Sequence, residues 1–399
     1  MREGEMAGRN YVLKAKICLV LIAFFLSLIP IYSIQTSICQ PLCDWLMYGK
    51  SPDGNRIIQS GCGLSSTNLT KLWETRFRID NLATPVVWQN KIYQSDGGNL
   101  YCINLDDRSV VWAYESGVNV NFTHTIDSGR IYIIQYSPQG DTSKLVCIDA
   151  LTGSLLWFHQ TKTYIRFYIV ASDNKTIIRT KDNYYHCFDS KTGEELWNYY
   201  SEVNSRPVVI NNKLYLPGIK CLDATTGKVV WDKDKEYVLL SPFAIDNDRI
   251  YFCSYNTEIV VVCISATTGE KMFEFFWDKI SQSRIITSTC SYDNKLFFTT
   301  IKGTSETSKN GIICFDLTSK KVLWEIDTGI HKLCPPTFDN GYIITGSDQG
   351  QLLFIDQNTG KIVKTYNIGQ PISSEIVIAS KKLFVITRKA IFCYESQSN

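Results

Sequence analysis

Apolar residues come in short runs along nearly the whole chain, each followed by a small set of turn formers. PVVWQNKIYQS over 85–95 and PVVINNKLYLP over 207–217 show the first kind of break, where Gln89-Asn90 and Asn211-Asn212 interrupt the run. Asp293-Asn294 does the same further on. Asn and Asp tolerate left-handed backbone and bond their own amides, so each dipeptide predicts a tight hairpin. A third run such as LVCIDA over 145–150 ends at Asp and Thr-Gly, and a fourth such as SLLWFH over 154–159 follows. The pattern predicts a unit of four short antiparallel strands.

The unit repeats. CIDALTGSLLW (147–157), CFDSKTGEELW (187–197), CLDATTGKVVW (221–231) and CISATTGEKMF (263–273) are the clearest copies. CINLDDRSVVW (102–112), CFDLTSKKVLW (314–324) and FIDQNTGKIVK (354–364) are looser ones. Their last residues recur about every 40 positions, the period of a four-stranded propeller blade. Each conserved chemical type within the unit has a structural reason. Gly153, Gly193, Gly227, Gly269 and Gly360 suit a positive-φ turn position. Asp149, Asp189, Asp223, Asp316 and Asp356 can accept the amides of that turn. Trp112, Trp157, Trp197, Trp231 and Trp324 offer flat apolar plates for packing one sheet on the next.

The chain ends complete the count. EIVIASKKLFVITRKAIFCYES over 375–396 holds three strands and stops before a fourth, while KLWETRF over 71–77 is an orphan fourth strand with Trp73 at the expected place. Joining them makes a last blade from both ends, which removes free sheet edges. The expected fold is an all-β, eight-bladed, monomeric propeller spanning 41–399, with seven blades as the alternative. The polar stretch IKGTSETSKNG over 301–311 is expected to be an exposed hairpin loop.

Residues 17–34 form the only long apolar run, preceded by Arg9, Lys14 and Lys16. This fits a secretory signal or a retained signal-anchor within 1–40, with lipidation at Cys39 a third reading. All three place the propeller outside the cytoplasm, membrane-anchored or secreted. Of fourteen cysteines, Cys102, Cys147, Cys187, Cys221, Cys263, Cys314 and Cys393 share one strand position in different blades. Packed sheets lie about 10 Å apart and a disulfide needs α-carbons within about 7 Å, so these read as buried apolar residues. Cys39, Cys43 and Cys62 are the disulfide candidates in an oxidising compartment.

Net charge is only +2, which gives no case for nucleic-acid binding. The histidines (His124, His159, His186, His331) show no metal or triad spacing, and no catalytic residue or metal ligand is assigned. Several cations stand just ahead of, or at, the strands that begin the repeats: Arg166, Arg206, Arg284 and Lys332, with His124 beside them. From different blades they could converge on one channel mouth as an anion or acidic-segment site.

The unit resembles the repeat of the pyrroloquinoline-quinone-like (PQQ-like) β-propeller superfamily. SPFAIDNDRIYF over 241–252 and CLDATTGKVVW over 221–231 match it closely, and DWLMYGKSPDGNR over 44–56 resembles its lead-in. The resemblance covers 44–396 and implies that the strand opening each repeat is innermost. It implies one of three functions: a PQQ- and calcium-dependent dehydrogenase of alcohols or sugars, a non-enzymatic scaffold for protein segments, or an extracytoplasmic recognition domain. The alcohol-oxidising members carry adjacent cysteines and long pocket-building insertions. This chain has neither. Asp96, Glu258 and Glu375 are scattered carboxylates without calcium-ligand spacing. The expectation is therefore a non-catalytic binding or assembly scaffold with no cofactor, with a quinoprotein oxidoreductase as the alternative. Glycan or surface-polymer recognition, marked by exposed aromatics on one face, is a further one.

Overall fold

The computed structural model describes residues 43–47, 50, 56–58, 60–76, 84–117, 124–138, 140–202, 206–216, 219–234, 236–237, 243–255, 259–276, 284–302, 309–330 and 332–397. The apolar run at 17–34, Cys39, Glu258 and His331 lie outside the described residues. No helix among those described is long and apolar enough to cross a membrane.

Among the described residues, thirty-two strands form eight four-stranded antiparallel sheets. Blade 1 consists of β2 (Val86–Trp88), β3 (Lys91–Ser95), β4 (Asn99–Asn104) and β5 (Val110–Glu115). Blades 2 to 7 follow at 125–161, 165–200, 208–232, 244–276, 284–330 and 337–367. Blade 8 takes three strands from the C-terminal end, the last being β32 (Ala390–Ser396), and its fourth from β1 (Leu69–Arg76). The pairing of β1 with β32 runs from Leu69↔Ser396 to Arg76↔Ala390, so the predicted joining of the two ends holds.

The hairpin chemistry is as the sequence suggests. Gln89-Asn90, Asn211-Asn212 and Asp293-Asn294 all have both residues at positive φ, the type I′ geometry that matches strand twist. Within the polar stretch at 301–311 the flanks continue the ladder between the two middle strands of blade 6, as Thr300↔Gly311, Ile301↔Asn310 and Lys302↔Lys309, and the expected loop at 303–308 lies outside the described residues.

Each blade's first strand is innermost. Those of neighbouring blades touch each other, β2 with β6 (Thr125–Asp127), β6 with β10 (Ile165–Ser172), and β10 with β14 (Val208–Ile210). The outer strands instead alternate exposed and half-buried, as in β5 and β9 (Leu155–Thr161). Two faces result. The turn face carries the first hairpin and the Asp-x-x-Thr-Gly turn, tied together by bonds such as Leu105 N–H to Asn90 O at 3.1 Å. The connection face carries the second hairpin and the blade-to-blade crossings.

The repeat residues build the joints between blades. Asp149 Oδ1 accepts the Leu151 amide at 3.0 Å, the Thr152 amide at 2.8 Å and the Thr152 hydroxyl at 3.0 Å. Asp189, Asp223 and Asp356 repeat this pattern, and Asp316 accepts Ser319 N–H at 2.6 Å. These bonds hold all five carboxyls below the usual range. The glycine has a second duty beyond its φ. A Cβ on Gly193 would stand 2.6 Å from the Trp157 ring. Gly153, Gly227, Gly269 and Gly360 meet Trp112, Trp197, Trp231 and Trp324 in the same way. Each indole also donates Nε1 to the next blade, from Trp112 to Ala150 O at 3.1 Å through Trp324 to Gln357 O at 3.0 Å.

The seven repeat cysteines are free and fully buried, as expected. Cys43 and Cys62 form a disulfide. It sits in a lead-in that docks on the turn face and the inner edges of the ring. Trp45 pairs antiparallel with Val87, and Ile57 pairs parallel with Phe338. Both partners already use their other edge within a blade, so these bridges lie on the channel side. Leu46 O accepts Ile126 N–H, Cys43 O accepts Ser380 N–H, and Leu64 N–H reaches Asp339 Oδ2 at 2.8 Å. The lead-in thus touches blades 1, 2, 7 and 8.

Candidate connection-face site

The lead-in takes up inner strand edges of blades 1 and 7, and the connection face carries the starts of the first strands, where the sequence-chosen cations stand. Four of the five sequence-chosen cations have described side chains, and they behave differently. His124 is buried, with Nε2 3.0 Å from Tyr93 O. Burial pushes its imidazole down to about 4, so it is neutral at pH 7 and adds no charge to a cationic mouth. Lys332 is exposed, with its carbonyl accepting Asp348 N–H. Arg206 is half-buried just ahead of β14. Arg284 opens β22 (Arg284–Tyr292), opposite Lys302, and its side chain lies outside the described residues.

Arg166 is the informative one. The β10 register passes from Ile165↔Thr180 to Ile169↔Ile178, so residues 166–168 bulge out opposite the single residue Arg179. A bulge re-aims side chains, here on a channel-lining strand. Arg166 is half-buried, and its Nε is buried without a hydrogen-bond partner among the described residues. An unmet buried N–H costs of order 1–3 kcal/mol, more on a charged group. Across from it, Arg179 is fully buried on β11 (Lys175–Thr180). Its Nη2 donates to Asn183 Oδ1 at 2.8 Å and to Ser201 O at 3.0 Å. Burial lowers the Arg179 pKa; Tyr185 opposes this, and the charge of Arg166 adds to the lowering. Two guanidinium groups therefore share one end of blade 3.

The sequence reading missed Arg179, although a signal was present. Counting from the hairpin, its position is Ser95 in blade 1, Ile134 in blade 2, Cys253 in blade 5 and Ile386 in blade 8. Arg179 is a charge where those blades place uncharged residues. Arg166 and Arg179 are thus brought together within blade 3.

The other polar candidates are committed to structure. Asp96 Oδ1 accepts the amides of Gly98 at 3.1 Å and Asn99 at 2.8 Å, and Oδ2 accepts Tyr101 at 3.0 Å. Glu375 is buried against Arg56, with Oε2 2.5 Å from Nε. No group of three or more potential ligands fit for a metal occurs among the described residues.

One arrangement has the order of a catalytic relay. Thr180 Oγ1 lies 3.1 Å from His186 Nε2, and His186 Nδ1 lies 2.9 Å from Glu195 Oε1. Thr180 is buried, however, and its hydroxyl donates to Asp182 Oδ1 at 2.5 Å. Its proton is already placed on a carboxylate, and the chain braces a hairpin. The exposed aromatics Phe158, Tyr184 and Tyr200 lie on the outer two strands of blades 2 and 3, away from the channel.

Comparison with solved structures gives the same architecture. BamB from Moraxella catarrhalis is 17% identical, covering 82% of this chain and 99% of that one, with a TM-score of 0.62. Quinohemoprotein alcohol dehydrogenase from Comamonas testosteroni is 13% identical, covering 89% and 81%, with a TM-score of 0.66. The computationally designed Ika8 protein is 13% identical, covering 82% and 98%, with a TM-score of 0.59. A designed protein matches about as well as natural ones, so these likenesses speak to fold alone. No curated protein matches the chain by sequence. A family profile does: it is described as outer membrane protein assembly factor BamB and matches residues 62–164, 97–326 and 308–397. With most of the ring matched in this way, the chain belongs to that family of PQQ-like propellers.

Proposed function

We propose that this protein is a non-catalytic scaffold outside the cytoplasm that holds an extended, acidic protein segment at its connection face. The observation that carries the reading is Arg166: a cation on a channel-lining bulge whose buried Nε–H has no partner among the described residues. A carboxylate of the segment would accept from it in a charge-assisted bond, among the strongest available to a protein surface. Arg179 adds a second positive charge from a rigid position. The family description, an assembly factor, favours a protein partner over a small substrate. The Cys43–Cys62 disulfide favours an oxidising compartment, and the apolar run at 17–34 supplies a route there as signal or anchor.

The test is titration of a fluorescein-labelled extended peptide with alternating apolar and acidic residues. Binding should weaken at least tenfold in Arg166→Ala and only a few-fold in Arg166→Lys. Equal affinity in all three proteins would overturn the site. A parallel titration with PQQ, with and without calcium, addresses the oxidoreductase alternative. Saturable calcium-dependent binding there would replace the scaffold reading.

A further inference from the structure

We propose that the cleft where the two chain ends meet is an oxyanion site, and that an anion held there ties the ring shut. The cleft is independent of the blade 3 arginines. It has a volume of about 340 Å³ and is lined by Arg76, Gln370, Pro371, Arg388, Lys389 and Ala390.

Its polar lining is made of cations and hydrogen-bond donors. Arg76 ends β1 and gives Nε to Glu74 Oε1 at 2.8 Å, which leaves its Nη groups for a ligand. Arg388 and Lys389 sit exposed on a hairpin of blade 8. Thr387 Oγ1 secures that hairpin by accepting Ala390 N–H at 3.1 Å. The same hydroxyl lies 3.1 Å from Gln370 Oε1, so the Gln370 carbonyl is engaged and its NH₂ is the free end. The wall behind is stiff: a Cβ on Gly350 would stand 2.7 Å from Gln370 O. Pro371 and Ala390 give an apolar floor that lowers the local dielectric and strengthens charge pairing. Three cations and an amide donor, with no carboxylate lining the cleft among the described residues, select a phosphate or a clustered carboxylate.

The origin of the cations gives the site its consequence. Arg76 belongs to the N-terminal strand, while Arg388 and Lys389 belong to the C-terminal blade. Glu74 already pairs with Arg76, so what a bound anion adds is a bridge from Arg76 to Arg388 and Lys389 across the Arg76↔Ala390 end of the closing ladder. A ligand that binds only the closed ring favours closure by the same factor by which closure favours the ligand.

Calorimetric titration of the intact protein with pyrophosphate, and separately with citrate, tests this at low salt. At least one should bind saturably, and the pair separates phosphate from carboxylate preference. Arg388→Ala/Lys389→Ala should weaken binding at least tenfold, and Arg388→Lys should stay within a few-fold of the parent. Bound anion should also slow amide exchange over 69–76 and 390–396, with blades 2 to 5 unchanged as the folding control. Binding by neither anion, or an unchanged affinity in the double variant, would overturn the site. Binding without slower exchange at the seam would overturn its role in closure.

Discussion

Blade joints in this ring come in two kinds. Five of them, between blades 1–2, 2–3, 3–4, 4–5 and 6–7, pair an indole with a glycine and end the indole N–H on a carbonyl. Three depart from this. Between blades 5 and 6, Phe273 faces Lys320, whose φ is 57°. Between 7 and 8 the indole position is Lys364, and the facing turn is replaced by the chain ends. Between 8 and 1, Trp73 faces a turn with Arg108 at φ 63°. Two of the three irregular joints flank the seam, where the lead-in lies. Trp45, Ile58, Cys62 and Leu64 share one buried cluster with Val87 of blade 1, Phe354 of blade 7 and Phe384 of blade 8. Tyr366 accepts Leu69 N–H at 2.8 Å and donates to Thr67 O at 2.9 Å. The regular joints are self-sufficient; the seam is held by a segment that belongs to no blade.

The sharpest break of a regular joint is Gly193→Ala. The new methyl must adopt left-handed backbone, costing about 1–2 kcal/mol. It must also displace the Trp157 ring, costing about 1–3 kcal/mol more. A loss of about 2–5 kcal/mol in urea unfolding is expected. A loss below about 1 kcal/mol would mean that the glycine and indole are not coupled.

The seam breaks at the disulfide. Replacing Cys43 and Cys62 by Ala opens a loop of 19 residues' separation, with an expected cost of about 3 kcal/mol. The signature is local: faster amide exchange in blades 7, 8 and 1, and little change in blades 3 to 5. Uniform acceleration around the ring would show that the lead-in does not hold the seam in particular.

Acid should find a different weakness, between blades 1 and 2. His124 has a folded pKa pushed down to about 4 by burial, below the ordinary value near 6.5. The unfolded chain therefore takes up the proton first. Stability from this group is intact above pH 6.5 and falls as pH drops toward 4, by at most about 3 kcal/mol. His124→Gln should flatten the unfolding midpoint between pH 7 and 4.5, and an unchanged pH slope would count against a buried neutral imidazole.

The regular joints were largely legible in the sequence, and the seam and site were not. Asp149, Gly153 and Trp157 recur at fixed spacing because each meets a local demand: a cap, a left-handed turn and a plate. That the plate of one blade lies on the glycine of the next is a relation between repeats, invisible within any single copy. The lead-in was legible as a segment, with Cys43 and Cys62 as disulfide candidates, but where it docks was not, for a related reason. Trp45 and Ile57 are single residues pairing with open strand edges, without periodicity to announce them. Arg166 could be picked out by position, but its partner needed the bulge, and Arg179 stands out only when blades are aligned from the hairpin. His124 misled, since a sequence does not reveal which imidazole is buried.

The joint between blades 5 and 6 allows the comparison to be reversed by construction. Lys320→Gly removes left-handed strain worth about 1 kcal/mol but loses the Lys320–Phe273 cation–π contact, worth about 0.5–1 kcal/mol, so stability should barely move. Phe273→Trp alone should gain little, and Trp73 shows why. Facing Arg108 instead of a glycine, it is the one of the six repeat tryptophans whose Nε1 has no acceptor among the described residues. The double variant removes that obstacle and lets the indole donate to Leu317 O, the carbonyl equivalent to Ala150 O at the regular joints. The double variant should exceed the sum of the single changes by about 1 kcal/mol, the worth of one hydrogen bond together with its packing. Strict additivity in urea midpoints would instead mean that glycine and tryptophan recur for separate reasons, and that the regular joint is two features rather than one.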